Sequence, residues 1–182
     1  MNRQSVHHRE DVLRAVVDLA DQRRDAVLPT DVPGVRDTFP DEAALVAALQ
    51  LRWHTRLSGC IERALLDTPD DLETAVVSGW RAAAAELAGV RMVLDAQRAV
   101  PATPEVGTAL RKAHAKEAVL LAAMAGRASA SDPAAVRVGE RIEQRARATY
   151  EPTEPTASRR HLPTQHRGPS GLIGRIKAHV AA

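Results

Sequence analysis

The feature that most constrains this chain is a ladder of large apolar residues at four-residue intervals: Leu45, Leu49, Trp53, Leu57, Ile61 and Leu65. Positions four apart lie above one another on an α-helix, whereas a half-buried strand repeats its apolar residues every two, so the ladder dictates an amphipathic helix over residues 41–67. Arg52, Arg56, Glu62 and Arg63 fall largely off that stripe. A helix with one apolar stripe must bury it against other elements, and the surrounding segments read as further helices. Residues 9–28 place Leu13, Val16, Val17, Ala20 and Val27 at 3–4 spacing, with Arg24 at the solvent boundary. Residues 29–40 contain three prolines and Gly34 and cannot extend a helix; Val32, Val35 and Phe39 are expected to pin this connection to the core.

After residue 67, Thr68-Pro69-Asp70-Asp71 is a start signal, with Thr68 as cap, Pro69 in the first turn and two carboxylates at the positive end of the helix dipole. The helix it opens is expected to run to residue 97, with Val76, Trp80, Ala83, Leu87, Val90 and Leu94 inward and Gly79 and Gly89 as points of close crossing or bending. Thr103-Pro104-Glu105 opens a fourth helix to residue 127. Asp132-Pro133 opens a fifth to residue 150, where Val138, Ile142 and Ala146 form a narrower stripe. Short turns make sequence neighbours antiparallel. The expected fold class is all-α: an antiparallel four-helix bundle plus a fifth helix, followed by an extended Pro-rich tail ending in a short amphipathic helix.

Charge divides the chain at the same place as the pattern. Residues 1–150 carry a net charge of −1 and residues 151–182 a net charge of +3, so the basic isoelectric point resides in the tail. The division gives a helical body over 1–150, a flexible linker over 151–170 containing four prolines, and a C-terminal peptide over 171–182. Within that peptide Leu172, Ile173, Ile176 and Val180 occupy one helical face, and Arg175 and Lys177 lie beside them. A helix this short is marginal alone in water, so its apolar face calls for a surface to dock on. These six residues are the expected contacts with a protein partner. Docking back onto the body is the other outcome such a terminus allows.

The chain contains no phosphate-binding loop, dinucleotide fingerprint, C-x-x-C or H-E-x-x-H sequence, and no catalytic residue is expected. Cys60, the one cysteine, falls near the apolar side of the 41–67 helix and reads as buried and structural. A lone cysteine, a polar start over residues 1–11 and the lack of a long apolar run together predict a cytoplasmic protein without a secretory leader or membrane span. No small-molecule substrate and no cofactor are called for. The alternative is metal: His114 and Glu117 sit three apart on the side of their helix that carries Leu110, Leu121 and Met124, and His7 and Glu10 repeat the spacing. Ferritin-like bundles hold Fe or Mn through inward Glu and His of this kind. Here the order is reversed, and Glu62, Glu73 or Glu86, or His54, would have to complete the set. A second alternative is nonspecific nucleic-acid binding through the basic tail, from Arg159 and Arg160 onward; docking on a membrane surface is a weaker one. In residues 133–150 Arg137, Arg141, Arg145 and Arg147 alternate with Glu140 and Glu143, which reads as a solvated, ion-paired face.

The segment Ser170-Gly-Leu-Ile-Gly-Arg-Ile-Lys177 resembles the C-terminal targeting peptides of cargo proteins loaded into encapsulin shells, which follow a flexible linker and carry Gly, Leu and Ile with a basic residue. The resemblance covers residues 170–177 alone. It implies a shell protein as partner and lends weight to a metal-binding body.

Overall fold

The structure is a computed structural model that describes residues 3–148 and 150, with side chains from His7 onward. Among the described residues the chain is all helix: α1 (Arg3–Arg23), α2 (Val35–Thr38), α3 (Glu42–Asp67), α4 (Leu72–Glu86), α5 (Ala88–Ala99), α6 (Pro104–Met124) and α7 (Ala135–Ala148), with no strand. None of these helices is long and apolar enough to cross a membrane. The expected linker and C-terminal peptide lie outside the described residues.

The four-residue ladder forms the centre of the molecule. On α3, Leu45, Leu49, Trp53, Leu57 and Ile61 are all fully buried, and Asp41 caps the helix by accepting from the Ala44 N–H at 2.7 Å. Two close helix pairs, α3 with α4 and α6 with α7, are joined across the α4–α7 contact, while α5 bridges α1 to the rest. Residues 29–40 are held as expected, with Val32, Val35 and Phe39 buried. Small residues set the helix separations. At Gly139 on α7 a Cβ would stand 1.8 Å from the Ala118 carbonyl oxygen of α6, so the two backbones are in direct contact.

Three boundaries depart from the sequence reading, each for a local reason. The first helix starts earlier and ends at Arg23, because Arg24 and Ala26 take left-handed backbone angles (φ 48° and 63°). Val27 is consequently turned out to solvent, and Leu28 takes the core position. The helix expected from Pro69, α4, starts at Leu72. Its cap is Asp71, which accepts from both the backbone N–H and the hydroxyl of Thr74 at 3.0 and 2.7 Å, while Thr68 ends α3. The expected single helix over 69–97 is two, broken at Leu87 (φ −127°, ψ 43°). The break is explained by α1: a Cβ on Gly89 would lie 2.1 Å from the Ala20 carbonyl oxygen, and the Asp21 carboxylate accepts the Gly89 N–H at 2.6 Å. The first turn of α5 is thus seated on α1 and capped by a side chain distant in sequence.

Candidate functional site

The most concentrated chemistry in the body is a cluster of charged side chains around the two tryptophans. α5 contributes Arg91, Asp95 and Arg98, which its helical pitch places on one face. α6 contributes His114 and Glu117, and α7 contributes Glu143 and Arg147. Glu117 is 2% exposed and accepts the Trp53 indole N–H at 2.9 Å. Its second oxygen lies 3.9 Å from the Arg91 guanidinium, which stacks over the Trp53 ring at 4.7 Å from the centroid. Arg91 also donates to Asp95 at 2.8 Å. Arg147 grips Asp95 with two nitrogens at 2.9 and 3.0 Å, donates to Glu143 at 2.8 Å, and covers the Trp80 ring at 4.9 Å. Trp53, Trp80 and Tyr150 form a chain of edge-to-face contacts at 5.9 and 6.0 Å.

Three guanidiniums face three carboxylates in this cluster, so its formal charge is zero without His114. Burial raises the Asp95 pKa, but Arg91, Arg147 and Arg98 outweigh that effect and hold it below the ordinary carboxylate range. Burial likewise opposes the charge on Arg147, and the carboxylates of Asp95 and Glu143 more than restore it. Removing ions from water is costly, and the good geometry between Arg147, Asp95 and Glu143 offsets that cost, whereas the buried Arg91 Nε and Glu117 Oε1 make no hydrogen bond among the described residues. One edge of the cluster opens on a cleft of about 240 Å³ lined by Arg24, Trp80, Met92, Asp95, Arg147 and Tyr150.

His114 and Glu117 share a helix face, as their spacing requires, but meet different partners. His114 Nδ1 is 2.7 Å from Arg98 and 3.5 Å from Glu143, and Nε2 is 3.8 Å from Glu140. Glu117 is engaged by Trp53 and Arg91. The other acids weighed as ligands are distant or committed: Glu73 pairs with Arg127 and Arg145, Glu86 with Arg56, and Glu10 with Arg52. Among the described residues no group of three or more His, Cys, Asp or Glu side chains is placed to hold a metal ion. Cys60 is buried, with its sulfur 4.0 Å from Glu86.

No family model, curated protein or solved structure matches this chain.

The ionic partners Arg91, Asp95, Glu143 and Arg147 were not singled out as a site in the sequence. The available signal was two Arg/acid pairs at i, i+4, Arg91–Asp95 and Glu143–Arg147, each directly beside a core residue, Val90 or Ile142. Such pairs read as solvated unless the neighbouring helix is known. The six partner-binding candidates Leu172, Ile173, Arg175, Ile176, Lys177 and Val180 lie outside the described residues.

Proposed function

We propose that this chain is a non-enzymatic helical binding or adaptor protein that acts in the cytoplasm. In this reading the helices of residues 1–150 form an antiparallel bundle, with the expected 69–97 helix divided into α4 and α5. A linker over 151–170 carries the peptide 171–182, and that peptide docks a protein partner through Leu172, Ile173, Ile176 and Val180, with Arg175 and Lys177 flanking. The observation that carries the proposal is the return of an apolar helical face after twenty Pro-rich polar residues. The body supports it in one respect: Arg91 and Arg147 bind Asp95, and Glu117 accepts the Trp53 N–H, an arrangement suited to fixing helix positions. For the ferritin-like alternative, Glu117 would have to give up the Trp53 N–H and leave Arg91 to reach a metal.

The test compares the full chain with a chain lacking 171–182, alongside an unrelated carrier bearing 151–182. Cross-linking and mass spectrometry should recover the same protein from the full chain and from the carrier, and lose it on deletion, with the thermal midpoint of the body unchanged. A midpoint drop of several degrees on deletion would assign the peptide to the core instead. Stoichiometric Fe or Mn in untagged protein would support the metal-binding alternative.

A further inference from the structure

The sequence of α7 alternates Arg with Glu, yet the fold separates the two signs. Glu143 is turned inward, 4% exposed and bound by Arg147. Glu140 lies toward α6, 3.8 Å from His114. The side of α7 facing solvent therefore presents Arg137, Arg141, Gln144 and Arg145, with Glu140, its side chain 42% exposed, at the margin toward α6. Arg137, Arg141 and Arg145 stand on successive turns, about 6 Å apart along the axis. Arg137 and Arg141 are exposed and make no ion pair with any described residue. Arg145 is joined by Arg127, from just beyond α6, and the two share the carboxylate of Glu73 at 2.7 and 2.6 Å. Between them lies a cleft of about 460 Å³ lined by Glu73, Arg127, Val138, Arg141, Ile142 and Arg145. With Asp71 also near Arg127 and Arg145, and Glu140 at the margin, four guanidiniums stand among three carboxylates, a local excess of one positive charge on a body whose total is −1.

We infer that this face of α7, together with Arg127, binds the phosphate backbone of double-stranded nucleic acid without reading its sequence. Guanidinium forks match phosphate oxygens, and a row of them at one-turn spacing lies along a duplex as a backbone contact. Single strands are disfavoured because the face lacks a stacking platform: Phe39, Trp53 and Trp80 are buried, and the Tyr150 hydroxyl is tied to the Ala84 carbonyl. An acidic protein surface is disfavoured because protein interfaces anchor on apolar or aromatic side chains. The exposed large hydrophobics Val27, Leu51, Leu66, Met92 and Val100 lie on other elements, and Leu72, beside Gly126, is a single apolar residue at the margin of the face.

The inference is tested on the full chain by fluorescence anisotropy with a labelled random-sequence 25-base-pair DNA duplex at 50 and 200 mM salt. The R137Q/R141Q variant removes two guanidiniums that form no ion pair among the described residues. Its salt slope should be shallower by about 1.8, so that wild type loses about 12-fold more affinity than the variant over that interval. E73Q should tighten binding at 50 mM, because it removes one negative charge from the face beside Arg127 and Arg145. A chain lacking 171–182 should retain duplex binding, which keeps this test independent of the partner-docking proposal. The inference is overturned by absence of duplex binding at 50 mM, by equal salt slopes for wild type and R137Q/R141Q, or by no gain from E73Q. It is also overturned if poly-glutamate or the single strand binds as tightly as the duplex.

Discussion

Replacing Glu117 with Ala tests whether the cluster around the tryptophans is integral to the fold. The carboxylate is 2% exposed, so water cannot take its place. Its removal strips the acceptor from the buried Trp53 N–H, a loss of about 1–3 kcal/mol. It also removes the more distant of the two negative charges beside Arg91, at 3.9 Å, and leaves that 9% exposed side chain with Asp95, at 2.8 Å, as its ionic partner among the described residues. Breaking a buried pair from one side costs about 3–5 kcal/mol. Because Asp95 persists, the two effects overlap, and we expect about 3–5 kcal/mol in all. For a chain of this size that is a fall in thermal midpoint of about 6–20 °C. Glu117→Gln keeps an oxygen for the indole and loses only the charge, so it should cost about 1–2 kcal/mol. Urea unfolding at pH 7, followed by circular dichroism, gives both values, and a Trp53→Phe/Glu117→Ala cycle gives the coupling between donor and acceptor. A cost below about 1 kcal/mol for E117A, or equal costs for E117A and E117Q, would refute the argument that this hydrogen bond and charge are both buried and both needed.

The remaining predictions concern backbone contacts and titration. Gly139→Ala drives a methyl into the Ala118 carbonyl and should force α6 and α7 apart, lowering the thermal midpoint sharply. Gly59→Ala meets nothing within 4 Å in the middle of α3 and should stabilise by about 0.5–1 kcal/mol in the same melting assay. Asp21 has a raised pKa, chiefly because burial disfavours its charge, with the Gly89 N–H opposing in part. A raised carboxyl pKa means that the folded state bears a penalty above that pKa which is relieved as pH falls through it. Asp21→Asn, which keeps the cap and drops the charge, should therefore be neutral or stabilising at pH 7, whereas Asp21→Ala should destabilise by about 1 kcal/mol in urea titrations. Asp95 behaves oppositely. Its depressed pKa contributes stability that is present above the ordinary aspartate value and lost as pH falls through the folded value, so unfolding free energy should decline in acid below about pH 4. Asp95→Asn should flatten that decline.

How far the sequence could be read follows from how local each signal is. The α3 ladder, the Thr103-Pro104 start of α6 and the burial of Trp53, Trp80 and Cys60 depend on spacing within one helix, and all were legible. The break at Leu87 was not, because Asp21 and Ala20, which seat the start of α5, are 68 and 69 residues before Gly89 in the chain. The same holds for Glu117. Its three-residue spacing from His114 suggests a ligand pair or a polar margin, and only the approach of Trp53, 64 residues earlier, makes it a buried acceptor. The alternating charges of α7 give a third case: local pattern suggests neutral pairing, while the neighbours α5 and α6 draw the acids to one side and leave the arginines on the other.

The aromatic chain at the centre has an optical consequence. Two indoles 5.9 Å apart and inclined at 73° share their excited states, and each is covered on one face by a guanidinium, Arg91 over Trp53 and Arg147 over Trp80. The four participants come from α3, α4, α5 and α7. Near-ultraviolet ellipticity from this stack therefore reports the mutual placement of four helices at once. The coupling is lost when α3 and α4 separate and is altered when α5 or α7 withdraws its guanidinium, so it serves as a built-in gauge of unfolding that needs no added label.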